Sequence, residues 1–103
     1  MILCIDIGNT NIKYGLFEGD ELRISFRVAT DLKRTSDQYG TAIIDMFAVK
    51  GVSPSAVHGA IISSVVPSLN YTIQHMCASY LGVEPLVVGA GLKTGHNLRV
   101  DDA

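Results

Sequence analysis

The stretch MILCIDIGNTNIKYGLFEGDELRISFRVA, Met1 to Ala29, decides how this chain begins to fold. Residues 1–7 form an apolar run with a single carboxylate, Asp6, which is typical of a short buried strand. Ile12 to Phe17 resumes the same pattern, and Glu21 to Ala29 alternates polar and apolar residues with a period of two. That alternation is the clearest secondary-structure signal in the chain and predicts a strand with one buried face.

Two clusters of turn-forming residues separate these strands. Gly8-Asn-Thr-Asn11 is predicted to turn because Gly and Asn tolerate positive φ, and Glu18-Gly-Asp20 carries a second turn signal. Three strands joined by tight turns form an antiparallel meander. The alternation predicts one apolar face on the third strand, made by Leu22, Ile24, Phe26 and Val28.

The periodicity changes to helical after the meander. Thr35 or Ser36 is expected to cap a helix that buries Tyr39, Ile43, Met46 and Phe47 and stops at Gly51. The remaining elements are predicted as a strand over Val57 to Ser63, a helix from Pro67 to about Leu81 that stops at Gly82, and a strand over Leu86 to Val88.

The predicted order is therefore β-β-β-α-β-α-β. Each helical crossover should return the chain to a parallel neighbour, so the sheet should be mixed and flanked by helices. This α/β arrangement is that of ribonuclease-H-like domains. The 103 residues are enough for one modest domain.

Composition narrows the class of protein. The chain is 48% hydrophobic and 17% charged with mean hydropathy +0.30, which excludes disorder, and no 18-residue apolar run could cross a membrane. The start lacks the basic region of a signal peptide and places the Asp6 carboxylate where the apolar region would continue, so a cytoplasmic protein is expected. A net charge of −2 gives no general attraction to nucleic acid. Cys4 and Cys77 are too few for a disulfide framework.

The segment Asp6-Ile-Gly-Asn-Thr-Asn-Ile-Lys13 carries the most chemistry. Gly8 would let the backbone approach an oxyanion, the turn N–H groups would form a concave donor site, and Lys13 would add a positive charge. Asp6 would not contact phosphate directly, because like charges repel. It would instead hold Mg²⁺, in part through water. A plain hairpin, whose Asn and Gly serve only turn geometry, is the alternative. The carboxylate at the strand end favours the phosphate-binding interpretation.

The other motifs are weaker. Gly89-Ala-Gly-Leu-Lys-Thr-Gly95 has neither the dinucleotide-loop spacing nor that of a Walker A loop. Asp101-Asp102 is more typical of a solvated turn than of a metal pair. Ser63-Ser64, where a strand ends, would either bond to local backbone or line a ligand crevice.

Three segments together resemble the type III pantothenate kinases: Asp6 to Gly15, Ile62-Ser-Ser-Val-Val-Pro67 and Lys93-Thr-Gly-His-Asn-Leu98. The resemblance covers the whole chain in order. It implies one ribonuclease-H-like half of the superfamily that includes acetate kinase, Hsp70 and actin, and transfer of the ATP γ-phosphate to the 4′-hydroxyl of pantothenate, the first committed step of coenzyme A synthesis. It also implies Mg²⁺ organised by Asp6, a monovalent cation (K⁺ or NH₄⁺) and a cytoplasmic homodimer. The implied ATP-phosphate loop consists of Asp6, Ile7, Gly8, Asn9, Thr10, Asn11, Ile12 and Lys13.

The chain departs from this family in two ways. A Gly-Ala-Asp-Arg motif that carries the catalytic base is expected just past Ala103, and a tyrosine often found near pantothenate corresponds to Val100, which keeps apolar contact at most. Residues 1–103 are thus expected to be the amino-terminal phosphate-binding domain without its second half, and inactive alone. The alternatives are a non-catalytic regulatory or dimerising module that retains the loop, and a ribonuclease-H-like nuclease. The predicted strand at Val57 to Ser63 lacks the carboxylate that a nuclease needs.

Overall fold

A computed structural model describes residues 1–89 as a five-stranded sheet with two helices. The sheet order is β3-β2-β1-β4-β5, which places the first strand at the centre. The elements are β1 (Ile2–Ile7), β2 (Asn11–Glu18), β3 (Glu21–Ala29), α1 (Ser36–Lys50), β4 (Gly59–Ser64), α2 (Asn70–Met76) and β5 (Leu86–Gly89).

The mixed sheet predicted from the element order is confirmed. β1 pairs antiparallel with β2, and β2 pairs antiparallel with β3, as hairpins require. β4 returns parallel to β1 after α1, and β5 returns parallel to β4 after α2. The carboxyl ends of β1 and β4 consequently lie side by side, where ligands bind in open α/β sheets.

Both helices pack on one face of the sheet. Leu3, Ile5 and Ile7 are fully buried in a single core, and these alternate residues of β1 point to the same face. Tyr14 stacks on Phe26 with ring centroids 4.9 Å apart, and Phe26 meets Phe47 of α1 edge-on at 6.2 Å. The helices contribute Tyr39, Ile43, Phe47, Ile73 and Met76 to this core. Met46, predicted for the buried face of α1, is only half-buried.

The opposite face of the sheet, called the open face below, carries no helix among residues 1–89. It presents Ile2, Cys4 and Asp6 from β1 with their cross-strand neighbours. None of the helices in the described part of the chain is long and apolar enough to span a bilayer.

The meander forms as predicted, but two details differ. Positive φ occurs only at glycines 19, 51 and 82 among the described residues, so the predicted reason for the turn at Gly8 to Asn11 was wrong. The register also shifts between Leu16 and Phe17, which places Leu22 opposite Phe17. Leu22 is therefore exposed, and only Ile24, Phe26 and Val28 pack against the core. An extra residue in one strand is the usual cause of such a shift.

The predicted ends of α1 are confirmed. Thr35 is the N-cap: its hydroxyl accepts a hydrogen bond from the Gln38 N–H at 3.2 Å, and the Gln38 side chain accepts one from the Thr35 N–H at 2.9 Å. This reciprocal capping box satisfies donors that the first helical turn leaves unpaired. Gly51 ends α1 with φ of 75°, a conformation that favours glycine.

The second helical region spans the predicted residues but is less regular than its pattern indicated. A 3₁₀ turn over Pro67–Leu69 precedes α2, and a π turn over Cys77–Leu81 follows it before Gly82 at φ 69°. The wider turn buries both Cys77 and Leu81. The preceding strand begins at Gly59 rather than Val57, because Pro54–Ala56 forms a 3₁₀ turn that ends at Val57.

Candidate phosphate-binding site

The segment with the most chemistry forms the connection between β1 and β2 at the centre of the sheet. Gly8 donates its N–H to the Asn11 carbonyl at 3.0 Å, which closes the loop. Val65, just after β4, donates its N–H to the Ile7 carbonyl at 3.0 Å. The loop therefore lies where the two central parallel strands end together.

Glycine is favoured at position 8 by close packing rather than by its φ. A Cβ at this position would lie 3.0 Å from the Asn11 carbonyl oxygen, the same atom that accepts the Gly8 N–H. A side chain here would require the Asn11 carbonyl to move by a few tenths of an ångström. Asn9 and Thr10 at the tip are exposed and so accessible to a ligand.

A row of polar residues crosses the open face next to the loop. Asp6 pairs with Lys13 of β2 on one side and with Ser63 of β4 on the other, and all three are half-buried. Lys13 in turn pairs with Arg27 of β3, which is exposed. Directly opposed residues lie about 5 Å apart between Cβ atoms. A carboxylate, two cations and a hydroxyl thus stand in line beside the loop.

Sequence reasoning did not assign Arg27 to this site. The alternation of β3 placed Arg27 on the polar face, but only the register brings it opposite Lys13. Lys13 and Arg27 together outnumber the single carboxylate of the row, Asp6, which lies opposite Lys13. This balance of charge favours an anion bound over the row.

Thr30 is a second residue that the sequence did not single out. Its hydroxyl donates to the Gly8 carbonyl at 2.7 Å, and its N–H donates to the Thr10 carbonyl at 2.9 Å. Thr30 follows β3 directly and touches the loop from outside the β1–β2 hairpin. No local signal marks it, because the contact spans 22 positions of the chain.

The remaining predicted residues separate into three groups. Ile7 and Ile12 are fully buried in the core on the helix side, so only their backbone could meet a ligand. Ser64 is also buried on that side, and its hydroxyl accepts a hydrogen bond from the Val66 N–H at 3.0 Å, the local backbone role considered from the sequence. Val100, the Lys93 to Leu98 segment and Asp101-Asp102 lie outside the described residues.

A magnesium ion beside Asp6 would have to take most of its ligands from water and phosphate. No three His, Cys, Asp or Glu side chains converge anywhere in residues 1–89, so an all-protein metal cage is absent from this part. Mg²⁺ is commonly bound by one or two carboxylates together with nucleotide phosphates. Asp6 can supply one such carboxylate beside the loop.

The fold and the loop together indicate the class of protein. The three-stranded antiparallel meander β1-β2-β3, followed by two parallel crossovers, resembles one half of the actin-like and sugar kinase fold. The solved ROK hexokinase from Thermus thermophilus matches 85% of this chain and 34% of its own with a TM-score of 0.64 at 15% identity, which supports the fold alone.

The sequence comparisons identify the family within that class. The profile of the type III pantothenate kinases matches residues 2–103, so the chain belongs to this family. It is 48% identical over 101 residues to the type III pantothenate kinase of Brevibacillus brevis and 45% identical over 102 residues to that of Listeria monocytogenes (strain HCC23). Those matches cover 98% and 99% of this chain but 40% and 39% of the relatives, so it spans about two fifths of their length.

Proposed function

We propose that the protein to which this chain belongs phosphorylates pantothenate on its 4′-hydroxyl with ATP, and that residues 6–13 bind the ATP phosphates. The observation that carries this proposal is the row of Asp6, Lys13 and Arg27 beside a hairpin loop at the carboxyl end of β1. Family membership supports pantothenate as the acceptor.

Each group at the site has a distinct role in this proposal. The exposed loop offers backbone N–H groups and the Asn9 and Thr10 side chains as donors to phosphate oxygens. Lys13 and Arg27 offset the negative charge of the phosphates. Asp6 would hold Mg²⁺, which bridges and neutralises phosphate oxygens when bound. Phosphoryl transfer depends mainly on such positioning and charge neutralisation.

The other groups that the reaction needs are proposed to lie beyond the described residues. The catalytic base is proposed to follow Ala103, and Val100 is proposed to lie near pantothenate. A cytoplasmic homodimer that needs a monovalent cation remains our proposal for the complete kinase. The 103 residues alone are proposed to be inactive, since a base within reach of the hydroxyl contributes about 10²–10⁴-fold in rate.

The decisive test replaces Asp6 in the longer protein that contains this chain. Asp6→Asn keeps the size of the side chain but removes the charge, and we expect kcat to fall about 10²-fold or more because several kcal/mol of charge stabilisation are lost. Thermal unfolding should change little. Asp20→Asn is the matched control, because Asp20 is exposed in the turn at the opposite end of β2. The measurement is pantothenate-dependent release of ADP.

Three results would contradict this assignment. Near-normal turnover in Asp6→Asn would show that Asp6 serves only the fold. Equal losses in Asp6→Asn and Asp20→Asn would point to a general charge effect. ATP binding without any pantothenate-dependent turnover in the unmodified protein would favour the non-catalytic regulatory or dimerising module instead.

A further inference from the structure

Thr30 makes an unusual pair of contacts with the candidate phosphate loop. Its hydroxyl donates to the carbonyl of Gly8, and its N–H donates to the carbonyl of Thr10. The two acceptors flank Asn9, the residue between them at the tip of the loop. One residue at the end of β3 therefore holds both peptide groups that surround the loop tip.

These contacts set the direction of two other backbone groups. A trans peptide is planar, with its carbonyl and the following N–H pointing in opposite directions. The described residues contain no cis peptide. Because Thr30 draws the Gly8 and Thr10 carbonyls toward itself, the N–H groups of Asn9 and Asn11 must point away from it. A loop that binds an anion through its N–H groups needs this kind of orientation.

Thr30 is in turn held by the buried core. The backbone of the next residue, Asp31, makes two hydrogen bonds with the Tyr39 hydroxyl. The Asp31 N–H donates to this hydroxyl at 3.0 Å, and the hydroxyl donates to the Asp31 carbonyl at 2.7 Å. Tyr39 is fully buried on α1. The position of Thr30 therefore depends on the packing of the helix against the sheet, which makes it a rigid support for the loop.

We propose that Thr30 is a positioning residue that aligns the N–H groups of Asn9 and Asn11 toward the ATP phosphates. This inference rests on the proposed function, since it assigns the loop to phosphate binding. Thr30 acts through the loop backbone and is not placed in contact with the nucleotide. Its removal should weaken the binding of ATP while leaving the binding of pantothenate intact.

The test uses two substitutions at Thr30 in the longer protein that contains this chain. Thr30→Val has the same shape without the hydroxyl, and Thr30→Ser keeps the hydroxyl. We expect Thr30→Val to raise both the ATP Kd and the KM for ATP about fivefold, the effect of one neutral hydrogen bond. The KM for pantothenate should stay constant, and Thr30→Ser should restore most of the ATP affinity. Thr41→Val is the matched control, because the Thr41 hydroxyl donates to the Gln38 carbonyl within α1.

The outcomes separate this inference from the function on which it rests. Unchanged ATP affinity in Thr30→Val, an equal rise of both KM values, or no rescue by Thr30→Ser would overturn the role of Thr30. An unmodified protein that binds ATP without phosphorylating pantothenate would overturn the function, and the ATP Kd values would still decide the role of Thr30. No binding of ATP would overturn both. If Thr30→Val fails to fold, Tyr39→Phe takes its place and should show a smaller loss of ATP affinity with the KM for pantothenate unchanged. Equal changes for both substrates in Tyr39→Phe would count against the role of Thr30.

Discussion

At the scale of single residues, Gly40 lies inside a helix, where tertiary packing outweighs the low helix propensity of glycine. A glycine in the middle of a helix is less favourable than alanine by about 0.5–1 kcal/mol. In α1, however, a Cβ on Gly40 would come within 2.3 Å of the Tyr80 ring. That ring is fixed by a hydrogen bond of 2.8 Å from the Tyr80 hydroxyl to Asp37. The glycine lets the end of the second helical region rest directly on the backbone of α1.

Gly40→Ala is therefore expected to destabilise the protein by about 1–2 kcal/mol, because the Tyr80 ring must leave its place. In a Tyr80→Ala background the same change should stabilise by about 0.5–1 kcal/mol, since only helix propensity remains. Equilibrium urea denaturation of the four proteins in this double-mutant cycle measures both values. Stabilisation by Gly40→Ala in both backgrounds would show that the contact is unimportant.

At the scale of secondary structure elements, the ends of helices and strands are predicted best from the sequence where they depend on neighbouring residues. The start of α1 at Thr35 and its stop at Gly51 follow from side-chain and backbone bonding within a few positions. The register shift between Leu16 and Phe17 concerns how two strands pair, and the π turn at Cys77–Leu81 buries Cys77 and Leu81 at the end of a helical region. These two features left no signal in the periodicity, and both were missed.

The N-cap at Thr35 is expected to contribute to the stability of the whole of α1. Thr35→Ala removes the acceptor of the Gln38 N–H and should lower the free energy of unfolding by about 1 kcal/mol. Thr35→Ser keeps the oxygen and should lose only a few tenths. The comparison uses urea denaturation of the two variants. Equal losses would mean that the methyl group of Thr35, and not its cap, supports the helix.

At the scale of the molecule, residues 1–89 bury one face of the sheet and leave apolar side chains on the open face. Ile2 is 41% exposed and Leu86 is 63% exposed. Half-buried Ile61 of β4 lies opposite Leu86, two positions past Gly59, the residue opposite Ile2. Exposed apolar surface promotes association. We expect the 103 residues, studied alone, to self-associate through this face.

Leu86→Ser should weaken that association, and Leu32→Ser should not. Leu32 is a good control because it is 65% exposed, almost the same as Leu86, but lies in the connection before α1 instead of on the open face. Light scattering over a range of concentrations measures the average mass of each variant. A monomer at high concentration, or an equal effect of both substitutions, would argue against association through the open face.

The element order, the mixed sheet and the turn between Asp6 and Lys13 could all be predicted from the sequence. These follow from periodicity, turn residues and short-range motifs, whose physical causes act within a few residues. Three features emerge only in the folded chain: Arg27 lies opposite Lys13, Thr30 bonds to the loop, and Ile7 and Ile12 face the core. Strand register and chain crossings bring together residues far apart in sequence, and such contacts leave no pattern along a single chain.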